Sequence, residues 1–565
     1  MIERVTGRVL HVELAGGSDR DFTVTLGPPP TLSFFAASGT PPHIGQLVHA
    51  EGEALKREDI GSGEIRGTLT QLGSVEWQVD STVYATRRVP LAWTAHIKRM
   101  MRRPLFDYQV EGAGWLASRL AGGRGAILGD EPGTGKTTQT VAVLAALRKW
   151  PVVVCCPASL KQQWLRELQL AKTPPVVAII SGKVGKLPRA EVYIVNYDVL
   201  FAREAQFMHL NPLLYVFDEA QELRNPKATG NHRAASATRL VRQRATGALL
   251  LTGTPVENRP AELWRLLHLA EPKKWPRFAD YTERFLKPIR GREVGRAVRS
   301  TAGRVERLNE LQLELDKTML RRLKTEVLRD LPEKSRRTVL VQLDEPAMRV
   351  YRTAEKDVVD WLRKLGKFDR ADQAAKNETL VKLTALRRIA ARGKLRQAIP
   401  YYLERWFDTS SKSPLVIFGY HRDVMEGLLK VTKGLGVRVV GISGGEPSES
   451  RQKAVDAFQQ GRADVFLAPI RAAGVGLNLQ RASDALFCER IWTPSGLIQA
   501  EDRVWRLGST KPVTITYLDA AGTVDEHIAR VVQSKQRLIR TVVDDDHASA
   551  ETMATVREVI EKLTS

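Results

Sequence analysis

Five apolar runs, "RGAILGD", "PVVVCCP", "EVYIVNY", "LYVFDEA" and "GALLLTGTP", each break off at a polar turn and alternate with amphipathic helical stretches. That alternation predicts βα units on a parallel sheet, with ligands held where the strands end in those turns. A second set, "PLVIFGY", "VRVVGISGG", "ADVFLAP", "DALFCER" and "VTITYL", repeats the pattern nearer the carboxyl end. Between the sets the chain is helical and basic, as in "MLRRLKTEVLRDLPEKSRR" and "LTALRRIAARGKLRQ". The economical architecture is an α/β chain of two parallel-sheet lobes, residues 91–270 and 411–545, with a helical insertion and linker at 271–410.

Before these lobes, residues 1–90 alternate like short strands separated by Gly, Pro and Asp clusters such as "GPPP" and "GTPPHIG", which predicts a small β-rich, barrel-like domain. An oligonucleotide-binding barrel and a Src-homology-like barrel both suit five strands, and so does a partner-docking or merely stabilising domain. Residues 546–565 read as a helical tail after the "DDDH" run. A chain of 565 residues exceeds one hydrophobic core and calls for several domains.

The 86 Lys and Arg outnumber the 64 Asp and Glu and leave a net charge of +22, which favours a polyanionic partner through neutralised phosphates and released counterions. No apolar run is long enough for a membrane span, and the start "MIERVTGRVLHVEL" lacks a signal-peptide pattern, so no membrane association is expected. The expected location is the cytoplasm, nucleoid-associated, in a prokaryote or virus, and the nucleus in a eukaryote. Cys155 and Cys156 are adjacent in a strand-like run and Cys488 stands alone, which gives neither a disulfide framework nor zinc spacing.

The stretch "AILGDEPGTGKTTQT" carries the first chemistry. Backbone N–H groups around Gly133, Thr134 and Gly135 can wrap a β-phosphate, Lys136 can balance the β- and γ-charge, and the Thr137 hydroxyl can reach Mg²⁺. The strict phosphate-loop pattern wants glycine where Asp130 stands, and an ordinary glycine turn before a helix is the competing explanation. "LLYVFDEAQELRN" delivers Asp218 and Glu219 at the polar end of an apolar run, which suits Asp218 to the metal and Glu219 to the base that activates water. Thr252 and Thr254 end the next run, where their hydroxyls could bond the acidic pair or simply start a helix with Pro255 in its first turn. In "GLIQAEDRVWRLGSTKPV", Arg503 and Arg506 are three apart, so on a helix they share a face and could reach a γ-phosphate together when the lobes close.

Together these segments resemble the superfamily 2 helicase-type motors, and specifically their Swi/Snf-like double-stranded DNA translocases. "FDYQVEGAGWL" is similar to the family's adenine-recognising segment, "GDEPGTGKT" to motif I, "CPASLKQQWLREL" to motif Ia, "DEAQ" to motif II, and "LTGTPVENRPAELWRLLHL" to motif III. "AAGVGLNL" with "ALFCERIWTPSGLIQAEDRVWRLG" looks most like the branch that includes annealing helicases. The resemblance implies tandem RecA-like lobes and an ATP and Mg²⁺ site built from Gln109 at the adenine, then Asp130, Glu131, Pro132, Gly133, Thr134, Gly135, Lys136, Thr137 and Thr138, with Gln499 from the second lobe. It also places Gly474, Gly476 and Asn478 near DNA or nucleotide. Gln221, Ala473 and Ser509 depart from the family's usual histidine, glycine and glutamine, and the first departure bears on coupling to DNA rather than on hydrolysis.

The function implied is ATP-dependent translocation on double-stranded or forked DNA, in repair, fork remodelling or strand annealing. Two alternatives remain at this level: a recycling factor that binds RNA polymerase through the amino-terminal domain, and a catalytically silent DNA-binding scaffold. The basic stretches "KRMMRRP" and "RRLK" (321–324) are candidate phosphate contacts.

Overall fold

A computed structural model describes residues 91–543, apart from short loops and the longer stretch 288–303, and before residue 91 the backbone of five strands. The tail expected at 546–565, together with Ala473, Gly474 and Gly476, lies outside the described residues. The five strands, β1 (Ile2–Leu14), β2 (Phe22–Gly27), β3 (Leu32–Ser38), β4 (Leu47–Asp59) and β5 (Gly67–Val79), form a closed barrel in the order β1-β2-β3-β5-β4. Its pairs are antiparallel except β3 with β5, which is parallel. Sequential hairpins cannot make that pair, and the Greek-key order is the one an oligonucleotide-binding barrel uses.

Lobe one is a parallel sheet built on the five anticipated runs, β6 (Ala126–Leu128), β7 (Val152–Cys155), β9 (Val192–Val195), β10 (Leu214–Asp218) and β11 (Leu249–Leu251). It gains the edge strand β8 (Val177–Ile179). Alternate residues of β7 face opposite cores: Val153 and Cys155 lie on one side of the sheet, Val152 and Val154 on the other. Helices therefore cover both faces, which is why these strands read as continuous apolar runs. All three cysteines are free and buried.

The described strands of 271–410 include one that joins each of the two large sheets. After a short antiparallel pair, β12 (Leu286–Lys287) with β13 (Arg304–Val305), the strand β14 (Met319–Leu320) joins lobe one beside β6. The lobe-one order is β14-β6-β11-β10-β7-β9-β8. Next, β15 (Lys334–Val341) joins lobe two, with β16 (Leu415–Gly419), β17 (Val439–Gly441), β18 (Val465–Pro469), β19 (Asp484–Phe487) and β20 (Val513–Ala520) in the order β15-β20-β19-β16-β18-β17. The helices Glu345–Leu365 and Gln373–Arg396 pack on that sheet, where Tyr351, Leu383 and Leu386 share a core with Val416 and Phe418. The chain thus passes from one lobe to the other across residues 321–333, and the basic segment expected to meet phosphates is that crossing.

Candidate nucleotide site between the lobes

The loop after β6 turns into the helix Lys136–Leu147 through two left-handed glycines, Gly133 at φ 86° and Gly135 at φ 80°. Left-handed backbone strains any residue with a Cβ. At Gly135 the demand is doubled, because a Cβ would lie 2.3 Å from the Gln109 side-chain amide. Gln109 is held there by donating to the Thr134 carbonyl (3.2 Å) and accepting the Phe106 N–H (3.2 Å). Tyr108 donates to the same Thr134 carbonyl at 2.9 Å, so the adenine-recognising segment braces the phosphate loop directly.

Lys136 curls back on that loop and donates to the carbonyls of Asp130 (2.7 Å) and Glu131 (3.1 Å). These are weak, local partners for an ammonium that an arriving phosphate can displace. Burial pulls its pKa down, and the carboxylates of Glu219, Asp130 and Asp218 oppose that effect. Thr137 follows, half-buried, in the first helical turn.

Four residues assigned to nucleotide contact have protein partners here. The Asp130 carboxylate is fully buried and paired with Arg322 at 2.5 Å, with Gln139 donating to it at 3.1 Å. The Thr138 hydroxyl donates to Glu167 at 2.9 Å and accepts from Arg103 at 2.7 Å. Glu131 accepts the Lys324 backbone N–H at 2.8 Å, and Pro132 packs against Gly253, where a Cβ would come within 2.7 Å of its ring.

At the end of β10, Asp218 accepts from the Trp164 indole N–H (2.8 Å) and from the Glu219 N–H (3.0 Å). Burial first, then the charge of Glu219, pushes its pKa up to about 7. Glu219 occupies a left-handed backbone position at φ 53°, an uncommon one for a residue with a Cβ. Its carboxylate accepts from the Gln221 amide at 2.6 Å, and Gln221 in turn accepts from the Thr252 hydroxyl at 2.8 Å. The Thr252 oxygen also takes the Thr254 N–H at 3.1 Å. The motif III hydroxyl therefore reaches the acidic pair through Gln221 rather than directly. The residue that departs from the family pattern is the bridge.

In lobe two the helix Pro494–Glu501, which carries half-buried Gln499, ends before the arginines. Arg503 and Arg506 stand in the turn that follows, where Arg503 N–H bonds Ala500 O at 3.1 Å and Trp505 N–H bonds Glu501 O at 3.0 Å. The expectation that they share a helical face is corrected. Arg503 feels the Glu219 charge across the lobe boundary, and burial with the nearby Arg506 lowers its pKa to about 10. Arg506 instead donates to the Leu477 carbonyl of its own lobe at 3.4 Å. Glu501 anchors the turn: burial would raise its pKa, but Lys334 at 3.2 Å and Arg336 at 2.6 Å outweigh burial and hold it down to about 2.

The "RRLK" segment is engaged throughout. Arg321 donates to Gly129 O (2.7 Å) and Gly253 O (3.1 Å), Arg322 pairs with Asp130, and Lys324 pairs with Asp502 at 2.7 Å. In "KRMMRRP", Arg99, Arg102 and Arg103 are all exposed, and Arg103 is tied to Thr138 and Glu167.

The donor set suits a magnesium nucleotide. The loop leaves no Cβ at Gly133 and Gly135, Lys136 is free to move to a phosphate, and Asp218 is a buried carboxylate whose charge a divalent cation would stabilise. Among the described residues no group of three or more His, Cys, Asp or Glu gathers as an all-protein metal centre. No described helix is long and apolar enough to cross a membrane.

Two parallel-sheet lobes, with a phosphate loop and acidic pair on one and an arginine turn of the other beside them, are the layout that the resemblance to helicase-type motors implies. Residues 108–395 match the SNF2-related domain and residues 394–508 the helicase conserved C-terminal domain, and the chain belongs to the SNF2-related family. A Drosophila melanogaster protein named SWI/SNF-related matrix-associated actin-dependent regulator of chromatin subfamily A-like protein 1 is 32% identical over 73% of this chain and 53% of its own length. The human DNA annealing helicase and endonuclease ZRANB3 is 30% identical over 75% of this chain and 39% of its own. The chain spans about half the length of such relatives. Among solved structures, the Sulfolobus solfataricus SWI2/SNF2 ATPase core in complex with dsDNA is 24% identical with a TM-score of 0.38, covering 82% of this chain and 97% of that one.

Proposed function

We propose that the chain is an ATP-driven translocase on duplex or forked DNA, serving repair, fork remodelling or strand annealing. The observation that carries this reading is the division of one site between two lobes: Lys136, Asp218 and Glu219 belong to lobe one, and Arg503 to a lobe-two turn that Lys324 joins to the phosphate loop through Asp502. A site so divided makes hydrolysis depend on lobe closure and lets closure do mechanical work. The net charge of +22 supports a polyanionic track, and the annealing-helicase name of relatives at 30% identity supports DNA as that track.

Lys136, Thr137 and Asp218 would hold magnesium ATP, with Gln109 at the base. Bound, it supplies the γ-phosphoryl group that water attacks. Glu219 takes the proton from that water, oriented by Gln221, and Arg503 stabilises charge on the transferring oxygens. Displacement of a triplex-forming strand from duplex DNA tests the reading. Wild-type protein displaces it with ATP, and Lys136→Ala does not; displacement without ATP, or by Lys136→Ala, would defeat the proposal.

A further inference from the structure

Lys324 leaves lobe one with its backbone fixed to the phosphate loop and crosses into lobe two with its side chain. On the first side, Gly129 N–H bonds Leu320 O (2.7 Å), Glu131 N–H bonds Arg322 O (3.1 Å) and Lys324 N–H bonds the Glu131 carboxylate (2.8 Å). On the second, the ammonium lies 2.7 Å from Asp502, 3.4 Å from the Trp505 carbonyl and 4.9 Å from the centre of the Trp505 ring. Asp502 immediately precedes Arg503, and Trp505 immediately precedes Arg506. One buried cation therefore holds both backbone positions from which the arginines project, and it is only 1% exposed.

The same ammonium abuts the phosphate cradle. A Cβ on Gly133 would stand 3.3 Å from Lys324 Nζ, so a phosphate seated against Gly133 comes within the ammonium's reach. Asp502 has a second cation nearby: Lys334 of β15, which shares the Glu501 carboxylate with Arg336, is 3.6 Å from Asp502 and 4.3 Å from the same Trp505 ring. Lys324 can thus exchange Asp502 for a phosphate while Lys334 keeps the carboxylate compensated, and neither charge is left buried alone.

We propose that Lys324 is a positioning residue that senses the nucleotide: it trades its ion pair with Asp502 for the bound phosphates, and so couples occupation of the cradle to the placement of the Arg503 turn. The inference rests on the ATP site described above. It assigns a role to a segment whose charge the sequence shows but whose partners it does not.

The test compares full-length Lys324→Gln, Asp502→Asn, the double variant and Lys324→Arg, each shown by thermal melt to be folded. Binding of a fluorescent ATP analogue and steady-state ATP turnover are measured for each. Lys324→Gln is expected to weaken analogue binding about tenfold, the worth of one charge-assisted contact to a phosphate. Asp502→Asn is expected to keep binding within about threefold while lowering kcat about tenfold, because the arginine turn loses the hold that Lys334 takes over when phosphate draws Lys324 away. The double variant should bind as Lys324→Gln does, and Lys324→Arg should restore most of the affinity. Equal losses in both single variants with recovery in the double variant would make the pair a static tie and overturn the inference. Unchanged affinity in Lys324→Gln would overturn it too. Analogue binding needs no turnover, so absence of ATP hydrolysis by the wild type would count against the site itself and be told apart.

Discussion

Asp218 gives the most quantitative expectation. It is buried beside Glu219 with a pKa pushed up to about 7, against 3.8 for an ordinary aspartate. A metal-holding carboxylate must be ionised, so binding of the magnesium nucleotide should expel its proton. With a pKa near 7, about 0.9 proton would be released at pH 6 and about 0.1 at pH 8. Calorimetric titration of magnesium ADP in buffers of different ionisation enthalpy measures this number. Subtracting the protons that free magnesium ADP itself exchanges over the same pH range leaves the protein's share.

The same shift acts on folding. A carboxylate whose folded pKa is raised makes the nucleotide-free protein lose stability as pH rises from about 4 to about 7, by at most about 4 kcal/mol. Asparagine at 218 avoids that loss but offers one acceptor oxygen where Trp164 and Glu219 N–H groups use two, which costs about 1–2 kcal/mol. Asp218→Asn should therefore stabilise the nucleotide-free protein at pH 8 by about 2 kcal/mol and destabilise it at pH 4. Denaturant titrations at the two pH values check the sign. A variant less stable than wild type at pH 8, or proton release that does not change with pH, would refute the reasoning.

Three further substitutions probe the rest of the site. Gln221→Ala removes the 2.6 Å bond that orients Glu219 and should lower kcat about tenfold, with nucleotide affinity within about threefold, in steady-state and analogue-binding assays. Arg322→Ala leaves the Asp130 carboxylate, at 0% exposure, without its cation, and denaturant unfolding should show a loss of about 3–5 kcal/mol. Gly133→Ala forces a Cβ onto backbone at φ 86° and 3.2 Å from Lys324 Cε; analogue binding should fall at least tenfold while the melting profile stays cooperative.

Much of this was legible in the sequence because parallel strands buried on both faces are continuous apolar runs, and because "GTGKT" and "DEAQ" follow such runs directly. The strand β14 was not, since Met319–Leu320 is two residues long and continues into a basic segment that reads as surface. The edge strand β15, "KSRRTVLV", is largely exposed and polar at its start, so it too lacked the apolar signature. Strand order in the barrel is a property of which distant backbones pair, and five short runs carry no trace of it. Asp130 entered the nucleotide site through the resemblance to motif I, and its pairing with Arg322 was not legible because that residue is far along the chain and only the fold brings the two together. The helical spacing of Arg503 and Arg506 misled for a local reason: the helix stops at Glu501, whose carboxylate is held by Lys334, Arg336 and the Tyr517 hydroxyl. Gln221 stood out as a departure, yet its role as the bridge from Thr252 to Glu219 required the neighbouring strand β11 in place.

The central claim is that hydrolysis at this divided site drives movement along duplex DNA. Its most direct test is the ATPase rate of the full chain with no nucleic acid, single-stranded DNA, duplex DNA, forked DNA and RNA, with Lys136→Ala as the control at each. Duplex or forked DNA should stimulate turnover at least tenfold over the bare enzyme, with Lys136→Ala inactive throughout. Stimulation by RNA alone, or turnover that persists in Lys136→Ala, would contradict it.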